Sequence, residues 1–229
     1  MIKTTPMIFN TEMVRALLAG NKTQTRRIVK PQPNLVDQWF GWIVESTQKK
    51  NEGCAGWITE QGDKLYAKPP CNSGDLIYVR ETWYQEGFHT SWSEMEPEDA
   101  VWNGSRNVKY FASTLVSGTH VFGMTGWRKR PSIHMPRWAS RLTLKINSVR
   151  VERIQDISKD DAIAEGFDYS KSESATKQGF AIGARTNFHH AWKSIYGDSW
   201  GKNEWVWVID FEVIHKNIDL VLAEMEQTS

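Results

Sequence analysis

Within eight consecutive residues, Gly20-Asn21-Lys22-Thr23-Gln24-Thr25-Arg26-Arg27, this chain places an amine, two hydroxyls and two guanidiniums. An amine that has lost its proton acts as a base, a hydroxyl relieved of its proton becomes a nucleophile, and a guanidinium steadies an oxygen that carries negative charge. Such a set does chemistry only if the backbone aims the groups into one pocket. The competing reading makes Lys22, Arg26 and Arg27 solvated charges and Thr23 and Thr25 ordinary strand residues, the commoner fate of a short basic stretch.

The flanking elements decide where these side chains point. Upstream, Met13, Val14, Leu17 and Leu18 recur at helical spacing, Asn10 is suited to cap the first turn, and Gly20 is the residue expected where such a helix stops. Downstream, Thr23, Thr25 and Arg27 alternate at period two and share one face of a strand, with Lys22 in the bend that leads into it. A second candidate lies far along the chain. Ser158 followed by Asp161 has the spacing of an acidic capping box and opens a helix that ends at Gly166. Glu165 then falls in the last turn, where the helix dipole opposes its charge, so it calls for a cation from elsewhere or a raised proton affinity.

Gly20, Lys22, Thr25 and Arg27 form a Gly-x-Lys-x-x-Thr-x-Arg pattern that resembles the signature of ASCH domains, small PUA-like barrels associated with RNA. The segment Gly74 to Glu81 is similar to the family's turn and strand, Ile157 to Gly166 to its short helix with a terminal acid, and Trp205 to Phe211 to its closing strand. The resemblance touches both ends of the chain and leaves the long middle segments unaccounted for, as in the longer ASCH proteins of phages and prophages. It implies a hydrolase in which Lys22, Thr25 and Glu165 remove the acetyl group of N4-acetylcytidine. Thr25 would attack once a base takes its proton, and Lys22 would be that base if burial or Arg27 lowers its proton affinity. Glu165 would protonate the departing amine or activate the water that clears the acyl group, and Arg27 would hold the carbonyl or its oxyanion. Arg80, Glu81 and Trp83 would complete the substrate contacts. The alternative implication is an RNA-binding, weakly ribonucleolytic module without amide hydrolysis, with Trp39, Trp83 or Trp127 stacking bases.

Composition narrows the class. Lys plus Arg number 28 against 27 for Asp plus Glu, so no overall field draws polyanions and any nucleic-acid affinity must be local. Cys54 and Cys71 form no Cys-x-x-Cys unit, and adjacent His189 and His190 cannot share a face, so neither a metal nor a cofactor is expected. No apolar run approaches membrane-spanning length and the first residues lack an apolar signal core, which suggests a cytoplasmic protein. Expected partners are a nucleoside or RNA-derived small molecule, or single-stranded RNA.

The remaining pattern is many short strands with a few helices. Strands are expected at Trp39 to Val44, at 76–81, at Lys109 to Ala112, and at 142–153, where the alternation changes phase at Asn147 and Ser148. Gly56 to Thr59 and Lys64 to Ala67 read as a hairpin. A helix over Phe188, Ala191, Trp192 and Ile195 ends at Gly197, and a strand runs from Trp205 to Val213. The acidic segment 94–99 and the Ser, Lys and Gly-rich segment 168–186 read as irregular, and the basic cluster Arg128-Lys129-Arg130 as a solvated loop. The fold class is α+β, mainly β: a PUA-like small β-barrel of mixed and antiparallel strands with flanking helices and long inserted loops. Residues 1–216 would form one domain with insertions at about 30–70, 84–131 and 168–186, followed by a C-terminal helix or tail at 217–229.

Overall fold

The helix implied by Met13, Val14, Leu17 and Leu18 forms as α1 (Thr11–Leu18), with Val14 and Leu17 buried. Asn10 Oδ1 accepts a hydrogen bond from the Met13 N–H at 2.8 Å, and Gly20 takes φ +72°, the left-handed conformation that releases a chain from a helix. The structure is a computed structural model that describes residues 2–34, 37–89, 102–114, 126–167 and 183–227. It is α+β with strands predominating, and the strand pairings among the described residues form no closed barrel. Segments 94–99 and 168–182 lie outside the described residues.

The chain divides into two units, the first made of Met1–Lys3, Ala19–Asp75 and Lys145–Glu212, the second of Thr4–Leu18, Leu76–Leu144 and Val213–Ser229. In the first unit β2 (Gln24–Ile28) pairs antiparallel with β11 (Trp205–Ile214), setting Thr25 opposite Ile209 and Arg27 opposite Trp207. On the other side of β11 lies β10 (Thr143–Arg153). Burial in β10 falls on Leu144 and Ile146 and then on Val151, with Asn147 and Ser148 both exposed, so the change of phase visible in the sequence is present in the strand. A three-stranded antiparallel sheet, β3 (Gln38–Trp42), β4 (Ala55–Ile58) and β5 (Lys64–Ala67), contains the expected hairpin, with Ile58 opposite Lys64. The exposed Phe40 ring lies across Gly56, where a Cβ would stand 2.4 Å from it. Trp57 is fully buried and meets Trp205 edge-on at 5.7 Å, while Trp39, Phe40 and Trp42 stay exposed.

Among the described residues of this unit, two α-helices pack together. Helix α2 (Lys159–Ala164) carries the complete capping box, the Ser158 side chain accepting from the Asp161 N–H while Asp161 reaches back to the Ser158 N–H. Helix α3 (Ala184–Tyr196) begins inside the segment read as irregular, and Phe188 and Trp192 bury against Ile154, Ile157, Ala162, Val206 and Val208. Ile195, expected on that face, is exposed. Gly197 ends the helix with a positive φ.

In the second unit β1 (Thr4–Ile8) pairs parallel with β6 (Leu76–Arg80). The strand β7 (Trp83–His89) is central in a second three-stranded sheet, antiparallel to both β8 (Trp102–Tyr110) and β9 (Gly126–Arg130). The basic cluster Arg128-Lys129-Arg130 is therefore strand, and of the strand expected at Lys109 to Ala112, Lys109 and Tyr110 end the longer β8 while Phe111 and Ala112 fall in the turn after it. The C-terminal segment is a helix, α4 (Ile218–Gln227), whose Ile218 and Val221 pack with Leu76. Just before it, Asn217 Nδ2 donates to the carbonyls of Arg137, Trp138 and Ser140. No helix among the described residues is long and apolar enough to cross a membrane.

Cys71 of the first unit is fully buried, and burial, reinforced by Asp75 and opposed by Lys3, pushes its thiol up to about 12. Only the thiolate reacts at useful rates. In folded protein near neutral pH, a disulfide reagent should leave Cys71 unmodified and label it promptly once denaturant is added. Labelling of Cys71 in the folded state at the rate of a free thiol would contradict this placement.

Candidate functional site

The bend before β2 is pinned by backbone. The Thr23 N–H donates to the Ala164 carbonyl at 2.8 Å, and the Thr23 carbonyl accepts from the Phe211 N–H at 2.9 Å. This fastens Lys22 beside the end of α2. Lys22 Nζ donates to the Glu165 carbonyl at 3.0 Å and meets Glu165 Oε2 at 2.5 Å. One ammonium thus serves both an orphan carbonyl of the final helical turn and the carboxylate that the dipole disfavours. Lys22 is 0 % exposed and Glu165 3 %.

Strand alternation separates what β2 carries. Gln24 and Arg26 share one face, and Arg26 is 1 % exposed, in contrast to the surface role its type suggests. Its guanidinium donates through Nε to Glu152 Oε1 at 2.9 Å, approaches Glu165 Oε1 through NH1 at 3.4 Å and Asp161 Oδ2 through NH2 at 3.4 Å, and donates to Gln24 Oε1. The Phe188 ring lies 5.8 Å from the same group. Gln24 Nε2 in turn donates to Asp161 Oδ1 at 3.0 Å and Asp210 Oδ1 at 2.7 Å, and Arg150 bridges Asp161 at 2.9 Å and Asp210 at 2.8 Å. Glu165 is therefore the innermost carboxylate of a linked cluster drawn from β2, β10, β11 and α2.

Thr25 is fully buried, and its Oγ1 accepts from Arg27 NH1 at 3.0 Å. By alternation this pair lies on the face of β2 opposite Gln24 and Arg26. The structure brings Lys22 and Glu165 into direct contact and joins Thr25 to Arg27. Lys22, which precedes the strand, is not bound by its alternation. Arg80, Glu81 and Trp83 belong to the second unit and are engaged there. Arg80 donates to the carbonyls of Met135 and Ile133, Glu81 forms a two-point pair with Arg141 at 2.9 and 3.0 Å, and Trp83 packs edge-on against Trp138 at 6.2 Å. Lys109 Nζ lies 4.1 Å from the centre of the Trp127 ring.

Reading the sequence singled out neither Arg26 nor Gln24 nor Glu152. A signal for them does exist: Gln24 and Arg26 alternate on β2, Arg150 and Glu152 on β10, and Asp210 sits among apolar neighbours on β11. Only the pairing of these strands reveals that the charges face one another.

Burial lowers the proton affinity of Lys22 below the ordinary lysine value, overcoming the attraction of Glu165, and Arg27 and Arg26 add to the lowering. For Asp161, burial pushes upward, but hydrogen bonds from Gln24 and Ser158 and the charges of Arg26 and Arg150 together hold it below the usual carboxylate range. Burial likewise raises Glu81 against the pull of Arg141. Among the described residues no group of three or more His, Cys, Asp or Glu side chains is arranged to hold a metal ion. Comparisons with protein-family models, with curated proteins and with solved structures find no match to this chain.

Two outcomes follow from this geometry. Replacing Arg26 by Met leaves Glu152, Asp161 and Glu165 facing one another without their central cation, and unfolding in urea near neutral pH should show a loss of about 3–5 kcal/mol. A loss below about 1 kcal/mol would mean that the cluster is solvated. The second outcome concerns pH. Because Lys22 titrates in the folded protein below its ordinary value of 10.5, the unfolded chain holds a proton in that interval that the native state has shed. Stability should therefore rise with pH across the interval, relative to a Lys22→Met variant. Denaturant titrations from about pH 8 to about pH 10 test the sign, and a difference that falls with pH contradicts it.

Proposed function

We propose that this chain is an ASCH-type hydrolase of the PUA-like class, acting on the acetyl amide of N4-acetylcytidine. The observation that carries the reading is the contact between Lys22 and Glu165, two residues of the motif 143 positions apart in the chain and both withdrawn from water. Lowering the proton affinity of a buried amine moves it towards use as a base, and a carboxylate beside it is a partner that can receive or return the proton.

In this reading Thr25 Oγ1 attacks the acetyl carbon while Lys22 takes its proton. For that transfer Lys22 Nζ must exchange its bond to Glu165 for one to Oγ1. The bond between the acetyl carbon and N4 then breaks, the proton reaches N4 through Glu165, and cytidine leaves. Water hydrolyses the acyl-threonine to acetate and restores the hydroxyl. In this reading Arg27, which donates to Thr25 Oγ1, is the group that steadies the oxyanion.

A second reading, an RNA-binding module without amide hydrolysis, draws on Trp39, Phe40 and Trp42, which leave aromatic surface open on β3 of the first unit. Incubation of the protein with N4-acetylcytidine should release cytidine and acetate. Lys22→Met and Glu165→Gln should each lower kcat by at least about 100-fold, and Thr25→Ala should abolish turnover while Thr25→Ser keeps part of it. Absence of cytidine from the wild-type reaction defeats the proposal. Activity retained in Thr25→Ala but lost in Glu165→Gln would make water the attacking species. Salt-dependent binding of single-stranded RNA that disappears in Arg27→Ala, without hydrolysis, would favour the second reading.

A further inference from the structure

The β7, β8 and β9 sheet of the second unit is basic in a protein whose net charge is only +1. Its described residues include Arg106, Lys109, Arg128, Lys129 and Arg130 against one carboxylate, Glu86. The pairing register sorts them. Trp83 stands opposite Arg130 and Gln85 opposite Arg128, so these four share a face, whereas Tyr84 opposite Lys129 and Glu86 opposite Trp127 occupy the other. The first face thus presents two guanidiniums and no acid of its own, and Glu86 lies on the reverse side, where it accepts from Asn107 Nδ2.

A cavity of about 320 Å³ opens on that first face, lined by Trp83, Gln85, Arg130, His134, Pro136 and Trp138. Two features of its wall are open to a ligand, the Arg130 guanidinium and the Trp138 ring. Arg130 donates through Nε and NH2 to Gln85 Oε1 at 3.2 and 3.0 Å, which leaves its NH1 edge without a partner among the described residues. The Gln85 amide is held in that orientation by its own donation to the Ser105 carbonyl at 3.0 Å. No carboxylate among the described residues pairs with Arg130, and burial together with the nearby Arg128 lowers its proton affinity, the mark of a cation partly stripped of water and not compensated. Trp83 is 98 % withdrawn from solvent, 2 % exposed, and its indole N–H is buried without a hydrogen-bond partner. The Trp138 ring is only half-buried, with the Arg106 guanidinium 5.4 Å from its centre, and His134 stands exposed at the rim.

An open aromatic wall and an uncompensated guanidinium fork suit a flat ring that carries an anionic group, and two further arginines nearby suit a doubly charged one. We propose that this cavity binds a nucleotide unit, its phosphate on Arg130 and its base against Trp138. Arg106 and Arg128 add long-range attraction. The ligand is either a free mononucleotide or one residue of a single strand, since both present the same phosphate and base. The site lies in a different unit from Lys22 and does not depend on the amide-hydrolysis reading.

Isothermal titration of the full chain with cytidine monophosphate, cytidine, inorganic phosphate and a six-residue oligocytidylate tests it. The monophosphate should bind at least about tenfold more tightly than cytidine or phosphate alone, and more weakly as salt is raised. Arg130→Gln and Trp138→Ala should each weaken it by about tenfold or more, Arg130→Lys by less, and Lys49→Gln, at an exposed lysine of the first unit, should leave it unchanged, with circular dichroism confirming that each variant is folded. Oligocytidylate binding far more tightly than the monophosphate identifies the strand as ligand, and equal binding identifies the free nucleotide; both uphold the site. No binding of the monophosphate at millimolar concentration, phosphate binding as well as the monophosphate, or folded Arg130→Gln and Trp138→Ala variants that bind like wild type would overturn it.

Discussion

A charge taken out of water without a partner costs several kcal/mol, so once Arg26 points inward, the elements around it lose most of their freedom. Glu152 must come from β10, Asp161 from α2 and Glu165 from its C-cap, and Gln24 must tie Asp161 to Asp210 of β11. A slip of one residue in the pairing of β2 with β11 would turn Arg26 outward and direct Thr25 at the carboxylates. The cluster therefore sets the register on which the position of Lys22 depends, whether or not it contributes net stability compared with an apolar core of the same shape.

That dependence explains which parts could be read in advance. Local chemistry announces itself: the spacing of Val14 and Leu17, the Asn10 cap, the hairpin around Gly62, and the Ser158 and Asp161 box all appear as their residue types imply. The requirement that Glu165 find a cation also follows from helix electrostatics alone, and Lys22 fills it. Pairings between distant strands announce nothing. β1 begins Thr-Thr-Pro and owes its existence to parallel pairing with β6, for which no neighbouring residue gives a sign. Arg26 is of a type that is usually solvated, and its burial is intelligible only after β10 and α2 are in place.

The second unit shows the same division. Trp83 stands out in the sequence as an aromatic for stacking, yet it is buried, and the ring with open surface in its cavity is Trp138. The run Arg128-Lys129-Arg130 looks like a loop because three successive charges usually are one. As a strand it distributes them, Arg128 and Arg130 to one side and Lys129 to the other, where the Lys129 ammonium lies 4.0 Å from the Phe111 ring centre. Alternation turns a run of like charges into two separately used surfaces.

Both units are discontinuous along the chain, the backbone passing from one to the other several times. During synthesis β2 therefore leaves the ribosome long before β11 exists to pair with it, and the Arg26 side chain emerges ahead of every acid that will receive it. Contacts this distant close slowly, and an unpaired strand is in the meantime a target for chance association with other chains. Lysine, glutamine and two arginines within Lys22 to Arg27 keep the nascent strand hydrated through that wait. The polar character needed for the finished cluster thus also protects the chain before the cluster can form.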